Sequence, residues 1–171
     1  MEWTGARYAD NPTVEVSVHI DAPIERVWES VSDPMLMPEL SDELQAVEWL
    51  DGAGAAVVGA SFAGRNSHPS LGEWTTTSYI VVCDPPRRFA WAVEDPDRPS
   101  ATWRFTLTPD GDGTRLSQWM QFGPGRSGLN IAIDAMPDKE QKIVFVRMRE
   151  HETHMIQTLE RIKAKLEGPS G

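Results

Sequence analysis

The chain has 171 residues and a net charge of -10, from 16 Lys and Arg against 26 Asp and Glu, which excludes binding driven by nucleic-acid phosphates and disfavours anionic membrane surfaces. The length suits one domain with a sizeable core. A single cysteine, Cys83, makes no internal disulfide, and no run approaches the roughly 20 apolar residues of a bilayer span, so the expectation is a cytoplasmic protein without stable membrane insertion.

Residues 1–12 are polar and end in Asn11-Pro12, the composition of a flexible leader. Thr13 to Ile20 alternates, with Val14, Val16, Val18 and Ile20 on one face, which predicts a half-buried strand with a solvated His19. Asp21 is expected to cap a helix whose apolar face is Ile24, Val27, Trp28 and Val31, ended by Asp33-Pro34. Met35 to Leu40 reads as a second short helix. Six further strands are expected near Leu44–Leu50, Val57–Asn66, Glu73–Cys83, Arg88–Val93, Ala101–Thr108 and Thr114–Phe122, separated by turn chemistry such as Asp51-Gly52, Asp84-Pro85-Pro86 and Asp110-Gly111. On the last of them Leu116, Met120 and Phe122 oppose Ser117, Trp119 and Gln121, so Trp119 faces outward or marks a bulge. A short apolar helix, Leu129 to Met136, precedes a long one from Pro137 to Glu167.

The long helix carries Val144, Met148, His151, Met155, Leu159, Ile162 and Leu166 on one stripe. It starts with Pro137-Asp138, stops at Gly168-Pro169 and spans roughly 45 Å. The element order predicts an α+β domain over residues 13–168: a seven-stranded antiparallel sheet curled around the long C-terminal helix, with two short helices after the first strand. A wide curl leaves a cavity that the helix does not fill.

Several segments resemble the START/Bet v 1-like (SRPBCC) superfamily, in particular its bacterial polyketide cyclase/dehydrase branch. They are "APIERVWESVSDP" from Ala22 to Pro34, "VGASFAGRN" from Val58 to Asn66, "RRFAWAV" from Arg87 to Val93, "ATWRFTLTP" from Ala101 to Pro109, "GTRLSQ" from Gly113 to Gln118, and "AMPDKE" from Ala135 to Glu140 with "TLERIKAKLE" from Thr158 to Glu167. The resemblance implies a helix-grip fold and a deep, mostly apolar cavity between sheet and long helix. It brings no invariant catalytic motif to carry over.

His151 stands where the apolar stripe calls for a leucine, and two readings stay open. It is a core histidine with a satisfied hydrogen bond, or it faces the cavity as a ligand-binding or proton-transfer group with a pKa near neutrality. Arg147, at the edge of the stripe, either reaches a ligand oxygen beside it or extends to solvent. The His151-Glu152-Thr153-His154 spacing does not match a zinc protease, so no metal and no cofactor are expected. Strand parity puts Asn66 on the face of Phe62 and Arg65 on the other, and whichever points inward becomes a ligand contact. Trp91, Trp103 and Phe105 face inward by pattern, Trp74 is placed to rim an entrance, and Met120, Met148 and Met155 offer an adaptable lining. The expected partner is a small hydrophobic molecule, bound or carried. The alternatives are a polyketide cyclase or dehydratase using His151 and Arg147, or an interaction module. For the last, Ile143 to Val146 is apolar all round the helix and calls for a cover, so the chain is a monomer or a homodimer.

Overall fold

The period-two alternation in seven segments produces the sheet. In the computed structural model, which describes residues 1–168, the strands are β1 (Thr13–Ile20), β2 (Leu44–Trp49), β3 (Ser61–His68), β4 (Gly72–Asp84), β5 (Arg88–Val93), β6 (Ala101–Asp110) and β7 (Gly113–Phe122). They form one antiparallel sheet in the order β1-β7-β6-β5-β4-β3-β2. The inner face carries Phe62 on β3, Ile80 on β4, Phe89, Trp91 and Val93 on β5, Phe105 and Leu107 on β6 and Leu116, Met120 and Phe122 on β7, each nearly or fully buried. Trp119 faces outward, with the Arg104 guanidinium 4.4 Å over its ring. β3 starts later than expected, because Gly59 (φ +95°) turns the chain before it and leaves Val57 and Val58 exposed.

After β1 come two short helices, α1 (Ile24–Val31) and α2 (Met37–Leu40). Asp21 does not cap α1: its carboxylate sits 2.9 Å from His19 Nε2, and Pro23 holds the N-cap position without a side-chain bond. Trp28 packs α1 onto the sheet by meeting Phe89 edge-on at 6.3 Å. α3 (Leu129–Ala135) follows β7. A 3-10 turn at Pro137–Lys139 then leads into α4 (Glu140–Glu167), 28 residues or roughly 42 Å long. The Gly168 N–H closes α4 by donating to Ala164 O at 2.8 Å.

The sheet grips α4 from both edges. β1 runs beneath the helix on one side, where Val16 and Val18 approach Ile156 and Leu159. On the other, Glu43 just before β2 binds Arg147 of α4 through two bonds of 2.6 and 3.1 Å, and His68 at the end of β3 meets Glu150 at 2.7 Å. This is the helix-grip arrangement that the resemblance implies.

The first twelve residues are not a loose leader. Tyr8 is buried and stacked on Phe122 at 5.9 Å, its hydroxyl facing the carbonyls of Gly125 (2.7 Å) and Ser100 (3.1 Å). Trp3 meets Phe145 edge-on at 5.2 Å, and Glu140 accepts the Tyr8 N–H. The apolar girth of α4 at Ile143 to Val146 explains the docking: Trp3 covers Phe145, Ile143 packs against the cluster that includes Ile133 of α3, and Val146 stays exposed.

The apolar interior is divided. One cluster holds Ile20, Val27, Phe62, Phe89, Phe105, Leu116, Leu159 and Ile162, and the second holds Tyr8, Val14, Met120, Phe122, Val144, Met148 and Met155. Val16, Ala101 and Trp103 are only partly buried and pack against both, so they mark a seam across the inner face. Among the described residues no helix is long and apolar enough to cross a membrane.

Candidate functional site

The seam is where the domain brings together aromatic surface and unpaired polar groups. β5 and β6 pair Trp91 with Trp103 and Phe89 with Phe105 in register, so four rings share a small area of the inner face. The two indoles lie 6.3 Å apart and within 10° of parallel, and Phe105 tilts against Trp91 at 5.9 Å. Above them α4 presents His151, whose ring stands edge-on to Trp103 at 5.2 Å and lies 5.6 Å from Phe122.

His151 has aromatic neighbours in place of hydrogen-bond partners among the described residues. It retains a small accessible surface, and its nitrogens are not among the fully occluded atoms that lack a partner, so they border accessible space. Burial pushes its pKa well below the ordinary imidazole value, helped by the positive charge of Arg147 and by His154 and His68 nearby. This corrects the expectation of a pKa near neutrality: His151 is neutral at pH 7, with one nitrogen a donor and the other an acceptor. It also departs from the satisfied core histidine of the blander reading.

Arg147 is buried, neither extended to solvent nor free for a ligand. Both terminal nitrogens are engaged by Glu43, and Glu150 lies 3.9 Å away. Its fork geometry matches a carboxylate, and the protein supplies that carboxylate itself. His154 approaches the same Glu43 at 3.7 Å. Glu43 and His68, both missed in the sequence, thus hold the open edge of the sheet against α4.

The remaining candidates separate by location. Phe62 is buried beneath Trp49, which it meets edge-on at 6.2 Å, away from His151. Asn66 and Trp74 are cross-strand partners on β3 and β4, both half-buried on the inner face near the gripping edge. Arg65 is exposed on the outer face, which corrects its place as a ligand contact: Phe62 points inward, so strand parity sends Arg65 out. Met120, Met148 and Met155 are fully packed in the second cluster. Gln118, absent from the sequence-based candidates, is buried on the inner face between Leu116 and Met120. Two hollows flank these groups. One of about 60 Å³ lies between Val16 and Val18 of β1 and Ile156 and Leu159 of α4. A crevice of about 290 Å³ opens beside Ser32, Met35, Trp49 and Gly54. Among the described residues no group of three or more His, Cys, Asp or Glu is arranged to hold a metal ion.

A curled antiparallel sheet closed on one long helix, with aromatic rings on its inner side, defines a helix-grip domain. Residues 11–151 match the family described as polyketide cyclase / dehydrase and lipid transport, and the chain belongs to that family. The polyketide-cyclase-like protein Cgl2372 of Corynebacterium glutamicum is 34% identical over 91% of both chains, and its solution structure superposes with a TM-score of 0.66. The fold is shared with BexL, a di-domain ARO/CYC of the BE-7585A biosynthetic pathway, at 20% identity and a TM-score of 0.69 over 92% of this chain and 50% of BexL. It is shared too with Ara h 8.0201, at 13% identity and a TM-score of 0.57 over 88% of this chain and 97% of that one. No curated protein sequence matches the chain.

Proposed function

We propose that the protein binds a small, largely hydrophobic molecule between the sheet and α4, at the seam lined by Trp91, Trp103, Phe105 and His151. The observation that carries this reading is the unpaired imidazole of His151 held against Trp103 and Phe122 on the inner side of the sheet. Its nitrogens have no protein partner and border accessible space, so a ligand carbonyl or hydroxyl that reaches them gains a hydrogen bond without displacing one made inside the protein. The stacked indoles offer flat surface for rings or conjugated chains. A drug-sized ligand needs more room than the 60 Å³ hollow beside Val16. The three packed methionines, Met120, Met148 and Met155, are unbranched and flexible enough to make that room by re-packing.

The test is native mass spectrometry of the protein purified from its own host, with organic extraction of whatever stays bound. One discrete apolar species per chain supports the reading. It fails if nothing stays bound and the purified chain also takes up no hydrophobic probe added afterwards.

A second reading, ring closure or dehydration of a keto substrate, uses the same imidazole as the proton acceptor, since the neutral form is the basic one. Arg147 adds nothing to it, because Glu43 already occupies the guanidinium. Loss of turnover with retained ligand affinity in His151→Leu would favour this enzyme over a carrier.

A further inference from the structure

Two occluded side-chain oxygens lack a hydrogen-bond partner among the described residues, Gln118 Oε1 and Glu167 Oε2. The second is explained by charge: it lies 2.6 Å from Lys163 Nζ. The first is not. Gln118 is 6% exposed and sits on β7, which is an interior strand of the sheet, flanked in register by Phe105 of β6 and Val16 of β1. Along its own strand the inner-face neighbours are Leu116 and Met120, which belong to different apolar clusters. Its amide therefore stands at the seam, at a position where an apolar side chain like those neighbours would pack without leaving a polar atom bare. A buried amide oxygen left unpaired is destabilising, so the empty protein carries a penalty at this residue.

We infer that Gln118 is a specificity-determining residue of the interior site, its amide pairing with a hydroxyl or carbonyl on the deep part of the ligand. This rests on the interior binding proposed above and narrows the class of molecule. The ligand is an oxygenated ring or chain compound, and a lipid whose buried tail is all hydrocarbon is disfavoured. His151 supplies the other polar contact. It packs on Trp103, which pairs with Met120, and on Phe122, two and four residues along the strand from Gln118. At about 3.3 Å per residue the two polar positions are offset by roughly 7 to 13 Å, with the aromatic surface of Trp103 and Phe105 between them. A half-turn of the amide exchanges its donor and acceptor, so either a hydroxyl or a carbonyl is accommodated.

The test uses the full chain and three probes followed by tryptophan fluorescence: 2-hydroxyanthracene, 2,6-dihydroxyanthracene and cis-parinaric acid. The first hydroxyl finds His151 and the second finds Gln118. In the wild-type chain the second hydroxyl should tighten binding about 10-fold. In Gln118→Leu and in Gln118→Met, the unbranched replacement, that gain should shrink to within about 2-fold, while cis-parinaric acid binds both variants at least as tightly as wild type. Without ligand, both variants should melt about 3 °C higher, because the bare amide is gone. A second-hydroxyl gain that persists in both variants, or is missing from wild type, overturns the role of Gln118 while leaving interior binding intact. So does a drop in melting temperature in both variants, which would mean that the amide is satisfied inside the protein. If no probe binds the wild-type chain, interior binding itself fails and this role falls with it.

Discussion

Replacing Glu43 by Gln removes the charge that Arg147 faces while nearly preserving shape. The pair is bidentate at 2.6 and 3.1 Å, with side chains only 13% and 10% exposed, so the Arg147 charge would be left largely desolvated. Breaking a buried pair from one side costs about 3–5 kcal/mol. Arg147 keeps Glu150 at 3.9 Å as a weaker partner, which sets the expectation at the lower end, about 3 kcal/mol. For a chain of this length that is a fall of roughly 6–12 °C in Tm. Arg147→Met should cost a similar amount, and the double variant should lose less than the two singles together, with a coupling of about 2 kcal/mol. Urea denaturation of the four proteins measures the cycle. A coupling below about 0.5 kcal/mol would mean that the pair behaves as a solvated surface contact and does not fasten β2 to α4.

Two other predictions concern stability. Tyr8→Phe leaves the carbonyls of Ser100 and Gly125 without their hydroxyl donor in a buried setting, and should cost about 1–3 kcal/mol by urea denaturation; a loss below about 0.5 kcal/mol would show that water replaces the hydroxyl. The two perturbed histidines act in opposite directions with pH. His151 has its pKa depressed by burial, so as pH falls below the unfolded value of about 6.5 the unfolded chain takes up a proton that the folded chain refuses, and stability drops. His19 has its pKa raised by its bonds to Asp110 and Asp21, so its contribution is full below about 6.5 and is lost as pH rises through the folded value. His151→Phe should flatten the acid-side loss and His19→Gln the loss on the alkaline side, read from Tm against pH. An unchanged acid limb in His151→Phe would refute the burial of that imidazole.

Much of the architecture is legible from periodicity. The stripe from Val144 to Ile162 set the long helix, and alternation along Trp103, Phe105 and Leu107 set the inner face of β6, because both patterns record which side of a regular element meets the core. The site is less legible, because its defining contacts join residues far apart in the chain. Glu43 and Arg147 are 104 positions apart, and only the curl of the sheet brings them together. Gln118 did carry a signal: alternation places it beside Leu116 and Met120, and a polar residue at an inward position invites the question of its partner. The Asn11-Pro12 break resembles the end of a leader, yet Trp3 and Tyr8 before it are the kind of side chains that dock, and the apolar girth of α4 is what they dock against.

Whether the interior takes up a ligand is tested most directly by NMR, observing the histidine and tryptophan ring protons of the full chain as 2-hydroxyanthracene is added. Binding at the seam predicts intermolecular NOEs from the probe to His151 and Trp103, together with large ring-current shifts at both. NOEs confined to Trp49 and Met35 would place the probe in the 290 Å³ crevice and contradict the interior site, as would an unperturbed His151 at saturating probe.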